Sequence, residues 1–459
     1  MTRQPDFIRP SFRRKWAERK IDTDQRFGFL REAETYLATK FASPDLEASD
    51  SIAHQISAYT GQRIVSAIPC YALEQPNLQA LVSHVNHIGK AGGHVVVLIN
   101  ADAPSLHSDV DKLASNVCSY LNQYCRLDDF SVASENFGRS YPIGRIRAIL
   151  CDAIVSRALR FLVDDLIIVS NDIDCCFTPD NYGRIIGERF SDPCLDILSG
   201  PLFYGYTATG DDYIGVEPPV PDLFLGNRVL EARQLSRLNG YFYGARFFTT
   251  EGPHTAFRAS AYCAAGGYDI SLEQAEDDEL GIAIFSLRQQ GTIPFPQVRN
   301  AVFDPAFWLV TNPRRQLLAI ANGASIIDTW LRFPIKSRSG HEISFVSSAH
   351  QNRQRAGAVS VEELHKLARS PRNCDAAWQK TLEIFLLGIG DRTLSSASLE
   401  YYLKACGVEI VDAGSGYDAL SLARRSKPSP AFTAALSRFV ENRCAVRCEE
   451  ENNETCGTR

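Results

Sequence analysis

The stretch from Leu166 to Asp174 constrains the fold more than any other part of the sequence. Four apolar residues in a row, from Leu166 to Val169, predict a strand that is buried on both faces, as in a parallel sheet. Asp172 and Asp174 follow it, at the strand's carboxyl end, where open α/β sheets bind ligands. Carboxylate oxygens suit Mg²⁺ or Mn²⁺, which can bridge to a diphosphate. An isolated D-x-D pattern is also compatible with a solvated turn, so the rest of the sequence must decide.

A strand–helix–strand pattern precedes this stretch. Residues 64–68 predict a strand that ends at Pro69, apolar residues recur at helical spacing from 78 to 88, and residues 95–99 predict a second strand. Such a βαβ unit implies a parallel sheet. The pattern then predicts a helix, a short strand and another helix, over 108–124, 130–133 and 143–162. The sheet is therefore predicted to have at least three parallel strands whose carboxyl ends share one edge.

Composition bounds the class of protein. The 459 residues suffice for one large domain with additions or for two to three domains. A net charge of -6 gives no overall basic field, so we expect no binding to nucleic acid. The sequence shows no apolar run typical of a signal peptide or a membrane span. An odd number of cysteines, 13, mostly within apolar patterns, favours free thiols in a reducing cytoplasm.

A second group of acidic residues lies at 276–279. Glu276, Asp277, Asp278 and Glu279 open a predicted helix that stops at Gly291. Acids in the first turn meet the positive end of the helix dipole, which keeps carboxylates ionised. An ionised carboxylate near a metal–diphosphate complex would serve as the general base of a sugar transfer. Helix capping alone is the alternative explanation of such a cluster.

Three motifs in this order carry a family resemblance. They are Asp172 and Asp174 in SNDIDC, the loop with Gly252, Ala256-Phe257-Arg258 and Gly266-Gly-Tyr-Asp269, and the segment Glu276-Asp-Asp-Glu-Leu280. Together they resemble the family-2 type of inverting glycosyltransferases with the GT-A fold, over roughly residues 61–333. The resemblance implies an α/β class, with a Rossmann-like mixed sheet that has helices on both faces.

The sequence also predicts a domain organisation, in which only the catalytic domain follows from the resemblance. Residues 61–335 would form the GT-A catalytic domain, after a polar, partly helical extension at 1–60. Residues 336–440 would form a small, mainly helical appendage, and 441–459 a disordered charged tail. The basic residues between 13 and 20 are compatible with a peripheral contact at the inner face of a membrane or with a solvated helix face.

Site residues follow from the resemblance as expectations. Asp172 and Asp174 would bind Mn²⁺ or Mg²⁺. Asp277 has the position of the usual base, and its neighbours Asp278 and Glu276 are alternatives. The donor would be a UDP- or GDP-linked sugar, bound by Pro69, Tyr71, Asn100, Asp102, Arg145, Arg147, Asp172 and Arg258. The acceptor would be a saccharide, a lipid-linked molecule or a protein, and the oligomeric state is not indicated.

Some family features are missing, and other enzyme classes remain. The arginine that often follows the acidic segment is absent, since Gly281-Ile-Ala-Ile284 stands there. The Gln-x-x-Arg-Trp motif of processive synthases is also missing, which favours transfer of a single sugar. A haloacid-dehalogenase-type phosphohydrolase also has D-x-D after a strand, but Cys176 stands where it carries Thr or Val. A sugar nucleotidyltransferase would need a basic, glycine-rich loop after the first strand, and a non-catalytic nucleotide binder would not need both acidic motifs.

Overall fold

The structure is a computed structural model of the whole chain. The residues that it describes are 25–40, 43–57, 62–74, 76–164, 166–200, 202–204, 248, 250–272, 276–289, 300–304, 306–311, 333–336 and 342–345. The basic cluster between 13 and 20, nearly all of the predicted helical appendage and the charged tail lie outside these residues.

The chain divides into two compact units. The first consists of residues 1–203, 247–312 and 334–343, and the second of residues 204–246, 313–333 and 344–459. The helices described below and the seven-stranded sheet belong to the first unit. The domain limits at residues 60, 335 and 440 stay predictions.

Twelve strands are present in the described residues. They are β1 (Ile64–Tyr71), β2 (His94–Ala101), β3 (Phe130–Asn136), β4 (Ile167–Asn171), β5 (Cys175–Phe177), β6 (Ile197–Ser199), β7 (Leu202–Tyr204), β8 (His254–Arg258), β9 (Ala301–Phe303), β10 (Leu309–Thr311), β11 (Phe333–Lys336) and β12 (Glu342–Phe345). Seven of them form one sheet in the order β3-β2-β1-β4-β8-β6-β9. Strands β1 to β4 run parallel, and β8 runs antiparallel to both of its neighbours, β4 and β6. The sheet is therefore mixed, and β4 lies at its centre.

Eight α-helices accompany the strands in the described residues. They are α1 (Gln25–Ala38), α2 (Pro44–Gln55), α3 (Leu78–Lys90), α4 (His107–Tyr124), α5 (Ile143–Arg160), α6 (Tyr182–Arg189), α7 (Ala259–Ala265) and α8 (Glu276–Gln289). Helix α3 contacts α4 and α6, whereas α5 contacts α1 and α2, and α7 contacts α1 and α8. Within the described part of the chain, no helix combines the length and the apolar character that crossing a bilayer requires.

The group of helices around α3 and the group around α5 cover opposite faces of the sheet. Every second residue of β2, including Val95, Val97 and Ile99, packs in one apolar cluster with residues of α3 and α4. The intervening Val96 and Leu98 are equally buried, so the other face is covered as well. The mixed α/β sheet with helices on both faces, predicted from the sequence, is confirmed.

Strand β1 is longer than the sequence predicts. We expected it to end at Pro69, but it continues to Tyr71, and Pro69 pairs with Leu98 of β2. Pairing between β1 and β4 stops at Ala67↔Ser170, so on that side there is no ladder bond for the proline to remove. Proline is therefore tolerated inside this strand.

The first two helices pack on α5 rather than standing apart from the sheet domain. Tyr36 of α1 donates to Oδ1 of Asp152 at 2.8 Å, and Lys40 pairs with Oδ2 of the same buried carboxylate at 2.5 Å. On α2, Asp45 accepts hydrogen bonds from Nε and Nη2 of Arg145. Helices α1 and α2, which the sequence assigns to an extension, thus share partly buried ion pairs with the helix layer of the sheet.

Candidate active site

Asp172 and Asp174 lie in a turn that directly follows β4. The backbone N–H of Cys175 donates to the carbonyl of Asp172 at 3.1 Å and closes the turn. Ser170 is the next-to-last residue of β4, and its Oγ donates to the carbonyl of Gly252 at 2.8 Å. This bond fixes the loop that leads into β8. The structure thus places both carboxylates at the carboxyl edge of the sheet, where the sequence predicts them.

A buried arginine joins the two acidic motifs. Arg147 of α5 donates through Nη2 to Oδ1 of Asp172 at 2.6 Å and through Nη1 to Oε1 of Glu276 at 2.5 Å. Its side chain is only 6% exposed. Burial lowers the pKa of Arg147, but the carboxylates of Asp172 and Glu276 outweigh burial, so the pKa lies well above its ordinary value. The guanidinium therefore stays charged and binds one carboxylate from each motif.

Two glycines allow this close arrangement. A Cβ atom at position 144 on α5 would lie 2.7 Å from the Cβ of Glu276, so only glycine lets α5 approach the start of α8. A Cβ atom at position 252 would overlap the guanidinium of Arg147. In the sequence, Gly252 stands out only as part of a loop motif, and the structure shows the steric reason for a glycine there.

The acids in the first turn of α8 differ in their exposure. Glu276, Asp278 and Glu279 are 3%, 8% and 0% exposed, whereas Asp277 is only partly buried. The backbone N–H of Gly252 donates to Oδ2 of Asp277, and Thr250 Oγ1 donates to the backbone carbonyl of Asp277 at 2.5 Å. Asp277 is therefore the acid of this turn that is both oriented by the loop before β8 and reachable from solvent.

The pKa of Asp277 lies well above its ordinary value. Burial is the largest cause, followed by the negative charges of Glu276, Asp278 and Glu251, and Arg147 opposes them. The positive end of the α8 dipole favours the ionised form of Asp277, whereas burial and the like charges favour its protonated form. A carboxylate with a raised pKa is a stronger proton acceptor once it is ionised.

At the ends of β1 and β2, two of the predicted donor-binding residues meet. Tyr71 Oη donates to Oδ1 of Asp102 at 2.7 Å, and burial together with this bond raises the pKa of Tyr71 to about 12. Asn100 is buried, and its amide donates to the carbonyl of Cys70 at 2.9 Å. Pro69 is buried within β1. Asn100 and Pro69 therefore shape the strand ends, and Tyr71 and Asp102 present polar groups at the edge.

Two arginines predicted to bind the donor lie elsewhere. Arg145 is two residues from Arg147, on another face of α5, where it binds Asp45 at 2.8 Å and lies over the ring of Tyr141. Arg258 pairs with Ile167, at the end of β4 opposite to the D-x-D turn. Its guanidinium is buried and donates to the backbone carbonyls of Phe190, Asp192 and Leu195. Arg145 and Arg258 therefore do not belong to the site around Asp172.

One contact at the site has no signal in the sequence. Thr311 Oγ1 donates to Oδ1 of Asp174 at 3.2 Å. Thr311 ends β10, which pairs antiparallel with β5 across a large separation in sequence. A single threonine at the end of a short strand carries no pattern that would place it beside the D-x-D turn.

The donor set fits a divalent metal ion in part. Within the ranges that the structure describes, no group of three His, Cys, Asp or Glu side chains is arranged to hold a metal. Asp172 and Asp174 nevertheless offer hard oxygen ligands at one edge of the sheet. Mg²⁺ is commonly bound in this way, through one or two carboxylates, with substrate phosphates and water completing its coordination.

Comparison with known proteins gives only distant structural matches. No protein-family model matches the sequence, and no curated protein matches it either. A mannosyltransferase from Pyrobaculum calidifontis, solved with GDP-Man and Mn²⁺, is 14% identical over 89% of this chain and 97% of its own, with a TM-score of 0.35. A mycobacterial protein is 11% identical over 66% of this chain and 88% of its own, with a TM-score of 0.31.

A third match is glucosyl-3-phosphoglycerate synthase from Mycobacterium tuberculosis, solved with Mn²⁺, UDP-glucose and phosphoglyceric acid. It is 13% identical over 59% of this chain and 75% of its own, with a TM-score of 0.27. Overlap at these TM-scores carries neither a fold nor an activity to this chain. Function is therefore inferred from the residues of the site.

Proposed function

We propose that this chain is a glycosyltransferase of the GT-A type. It moves a single sugar from a UDP- or GDP-linked donor to an acceptor hydroxyl, with inversion and with Mn²⁺ or Mg²⁺ bound. The observation that carries the proposal is the bond pair of Arg147 to Asp172 and Glu276. A solvated turn and a helix cap would each explain one motif, but neither requires the two motifs to meet at one cation.

On the donor side, the carboxyl ends of β1, β2 and β4 supply the binding groups. Tyr71 and Asp102 lie where the nucleotide would bind, and Asp172 and Asp174 would hold the metal ion. Such an ion neutralises charge that develops on the leaving diphosphate, as a Lewis acid. Arg147 keeps its positive charge beside Asp172, which reduces repulsion between that carboxylate and an anionic donor.

On the acceptor side, the first turn of α8 supplies the base. The acceptor oxygen bonds to the anomeric carbon while the bond from that carbon to the diphosphate breaks, and the nucleotide leaves with the electron pair. A single displacement of this kind inverts the anomeric centre. The acceptor's proton passes to a carboxylate of α8. Asp277 is favoured, because it is the least buried of the acids, while Glu276 is engaged by Arg147.

Hydrolysis of sugar nucleotides tests the proposal. Purified protein is incubated with a panel of UDP- and GDP-sugars, with Mn²⁺ and separately with EDTA. We expect slow, metal-dependent release of UDP or GDP from one donor, and its loss in Asp174→Ala. Asp180→Ala is the matched control, because Asp180 follows β5 closely in sequence and its side chain is 96% exposed.

Two other results would replace the proposal. Cleavage of a simple phosphate ester, with no release from any sugar nucleotide, would identify a phosphohydrolase. Formation of a sugar nucleotide from a nucleoside triphosphate and a sugar phosphate would identify a nucleotidyltransferase.

A further inference from the structure

A chain of buried polar groups includes Asn171, the residue directly before the D-x-D turn. It consists of Ser66 of β1, His84 of α3, Asn171 of β4, Tyr182 of α6, His254 of β8 and the backbone carbonyl of Phe307, and we call it the Tyr182 network. Its hydrogen bonds are His84 Nε2 to Ser66 Oγ at 2.9 Å, Ser66 Oγ to Asn171 Oδ1 at 2.8 Å, Asn171 Nδ2 to Tyr182 Oη at 3.4 Å, Tyr182 Oη to His254 Nδ1 at 3.1 Å and His254 Nε2 to the Phe307 carbonyl at 2.7 Å.

The direction of every proton in the Tyr182 network follows from the Phe307 carbonyl. A carbonyl only accepts, so His254 donates through Nε2, and its Nδ1 must accept the proton of Tyr182. The tyrosine oxygen then accepts from the amide nitrogen of Asn171. This sets Asn171 Oδ1 toward Ser66, whose hydroxyl donates to it and accepts from Nε2 of His84.

Both histidines of the Tyr182 network are neutral. Burial lowers the pKa of His254 to about 4, although its bond to the Phe307 carbonyl opposes this, and burial lowers the pKa of His84 to about 3. Nδ1 of His84 is buried without a hydrogen-bond partner among the described residues, as expected for the nitrogen that carries no proton. A single arrangement of protons therefore satisfies all five bonds.

The Tyr182 network is buried. Ser66, Asn171, Tyr182, His254 and Phe307 are each 0% exposed, and His84 is 7% exposed. The rings of Tyr182, His254 and Phe307 also stack on one another, with centroids 4.2 to 5.8 Å apart. Removing one polar member leaves its neighbour buried and unsatisfied, which is unfavourable, so the hydrogen bonds restrict rotation of every member.

Two members of the Tyr182 network, Asn171 and Phe307, adjoin the two segments that meet at the D-x-D turn. Asn171 is the residue before Asp172, and its amide also donates to the carbonyl of Pro253 at 2.9 Å. Phe307 precedes β10, the strand whose Thr311 donates to Asp174. The β4 end and the β10 segment are thus fixed relative to each other through Tyr182 and His254.

We propose that Asn171, Tyr182 and His254 are positioning residues, which hold the turn with Asp172 and Asp174 in the geometry that binds the metal–nucleotide complex. The inference rests on the proposed function, since it requires that complex to bind. None of the three needs to touch the metal or the nucleotide. Partners of this kind around a metal site typically change metal affinity by about 10- to 100-fold when they are removed.

The test compares two tyrosines that each lose one buried hydroxyl. Tyr182→Phe removes the bonds to Asn171 and His254. Tyr262→Phe is the matched control, because Tyr262 is also 0% exposed and its hydroxyl donates to Asp152 at 2.9 Å, on the α1 and α5 side. Two quantities are measured for each variant. The first is the thermal midpoint of unfolding, and the second is the affinity for Mn²⁺ in the presence of UDP or GDP, determined by electron paramagnetic resonance.

We expect both variants to lose thermal stability and only Tyr182→Phe to lose Mn²⁺ affinity, by about tenfold or more. If the unaltered protein binds Mn²⁺ and Tyr182→Phe binds it with the same affinity, the inference is wrong but the proposed function is not affected. If the unaltered protein does not bind Mn²⁺ in the presence of either UDP or GDP, both the proposed function and the inference are wrong.

A second variant keeps the inference testable if Tyr182→Phe does not fold. Ser66→Ala removes the hydroxyl that donates to Asn171 Oδ1 and changes the buried volume little. The expected outcome is again weaker Mn²⁺ binding, and unchanged binding would overturn the inference.

Discussion

Arg147 donates to Asp172 at 2.6 Å, so the first carboxylate of the D-x-D motif is held by the helix that precedes its own strand. The other terminal nitrogen of the same guanidinium binds Glu276. The resemblance predicts an arginine in this helix that faces the nucleotide. In the structure, both terminal nitrogens of Arg147 bind protein carboxylates and thereby link the two acidic segments.

Replacing Arg147 should therefore damage stability and activity together. Arg147→Gln leaves Asp172 and Glu276 near each other without the cation between them, and loss of one partner of a buried ion pair costs about 3–5 kcal/mol. We expect a lower thermal midpoint and no measurable release of nucleotide from the donor. Arg145→Gln is the control, since it breaks a partly exposed pair with Asp45 on another face of α5. If Arg145→Gln abolished donor cleavage as completely as Arg147→Gln, the assigned faces of α5 would be wrong.

The raised pKa of Asp277 predicts a change of stability with pH. An unfolded aspartate has a pKa of about 3.9. Because the folded pKa is higher, the folded state loses stability as the pH rises from about 4 to the folded pKa, and the loss remains at higher pH. Asn does not titrate, so Asp277→Asn should raise the thermal midpoint at pH 7.5 by roughly 2 °C or more and give no gain at pH 4.

These melting curves are recorded in EDTA, and Asp180→Asn at an exposed position serves as the comparison. An equal gain for Asp277→Asn at both pH values would show that the stabilisation does not come from titration of this carboxyl.

The same substitution should slow sugar transfer. If Asp277 accepts the proton of the acceptor hydroxyl, Asp277→Asn should lower kcat by about 10²- to 10⁴-fold and leave Mn²⁺ binding unchanged. Measuring kcat for Asp277→Asn beside Asp278→Asn separates the two candidates. A larger loss in Asp278→Asn would move the role of base to Asp278.

Gly144 should not tolerate a side chain. Gly144→Ala places a Cβ atom 2.7 Å from the Cβ of Glu276, and overpacking of this kind costs about 1–3 kcal/mol. It should also push the first turn of α8 away and lower donor turnover more than the loss of stability alone explains. Gly187→Ala is the control, because a Cβ atom on this exposed position of α6 meets only Ile64 Cδ1, at 3.9 Å. There we expect a gain of up to about 1 kcal/mol from helix propensity.

The packing of α1 predicts that residues near the amino end stabilise the sheet domain. Lys40→Met leaves Asp152 buried without its cation and should lower the free energy of unfolding by about 1–3 kcal/mol. Mn²⁺ affinity should remain unchanged, since the pair lies on the α1 and α5 side. Arg160→Met breaks a more exposed pair with Asp50 and should change stability by less than about 0.5 kcal/mol. Equal losses in the two variants would contradict the difference in burial.

The sequence predicted the elements that depend on local pattern. Each of these patterns is contained in a few neighbouring residues. The apolar run at 166–169 predicts a buried strand, the apolar spacing at 78–88 predicts a helix, and the acids at 276–279 predict the start of a helix. The structure contains β4, α3 and α8 at these places. Parallel pairing of β1 to β4 could be predicted as well, because a helical crossover between two strands of one sheet returns the chain in the same direction.

Features that depend on non-local pairing could not be predicted. The antiparallel position of β8 between β4 and β6 decides that Arg258 lies at the far end of β4 from Asp172. In the linear motif Ala256-Phe257-Arg258 no residue indicates this direction. Thr311 reaches Asp174 for the same reason, since the pairing of β5 with β10 leaves no local pattern.

Strand β8 pairs with β4 but is translated long after it, so the parts of the site form in a set order during synthesis. Strands β1 to β4 and Arg147 emerge from the ribosome first, and their parallel pairing needs nothing beyond residue 171. Glu276 and the loop with Gly252 emerge later, and their contacts close a long stretch of chain, which is slow. A nascent chain therefore carries the D-x-D strand well before the second acidic motif can dock beside it, and under the proposed function donor hydrolysis would begin only after that docking.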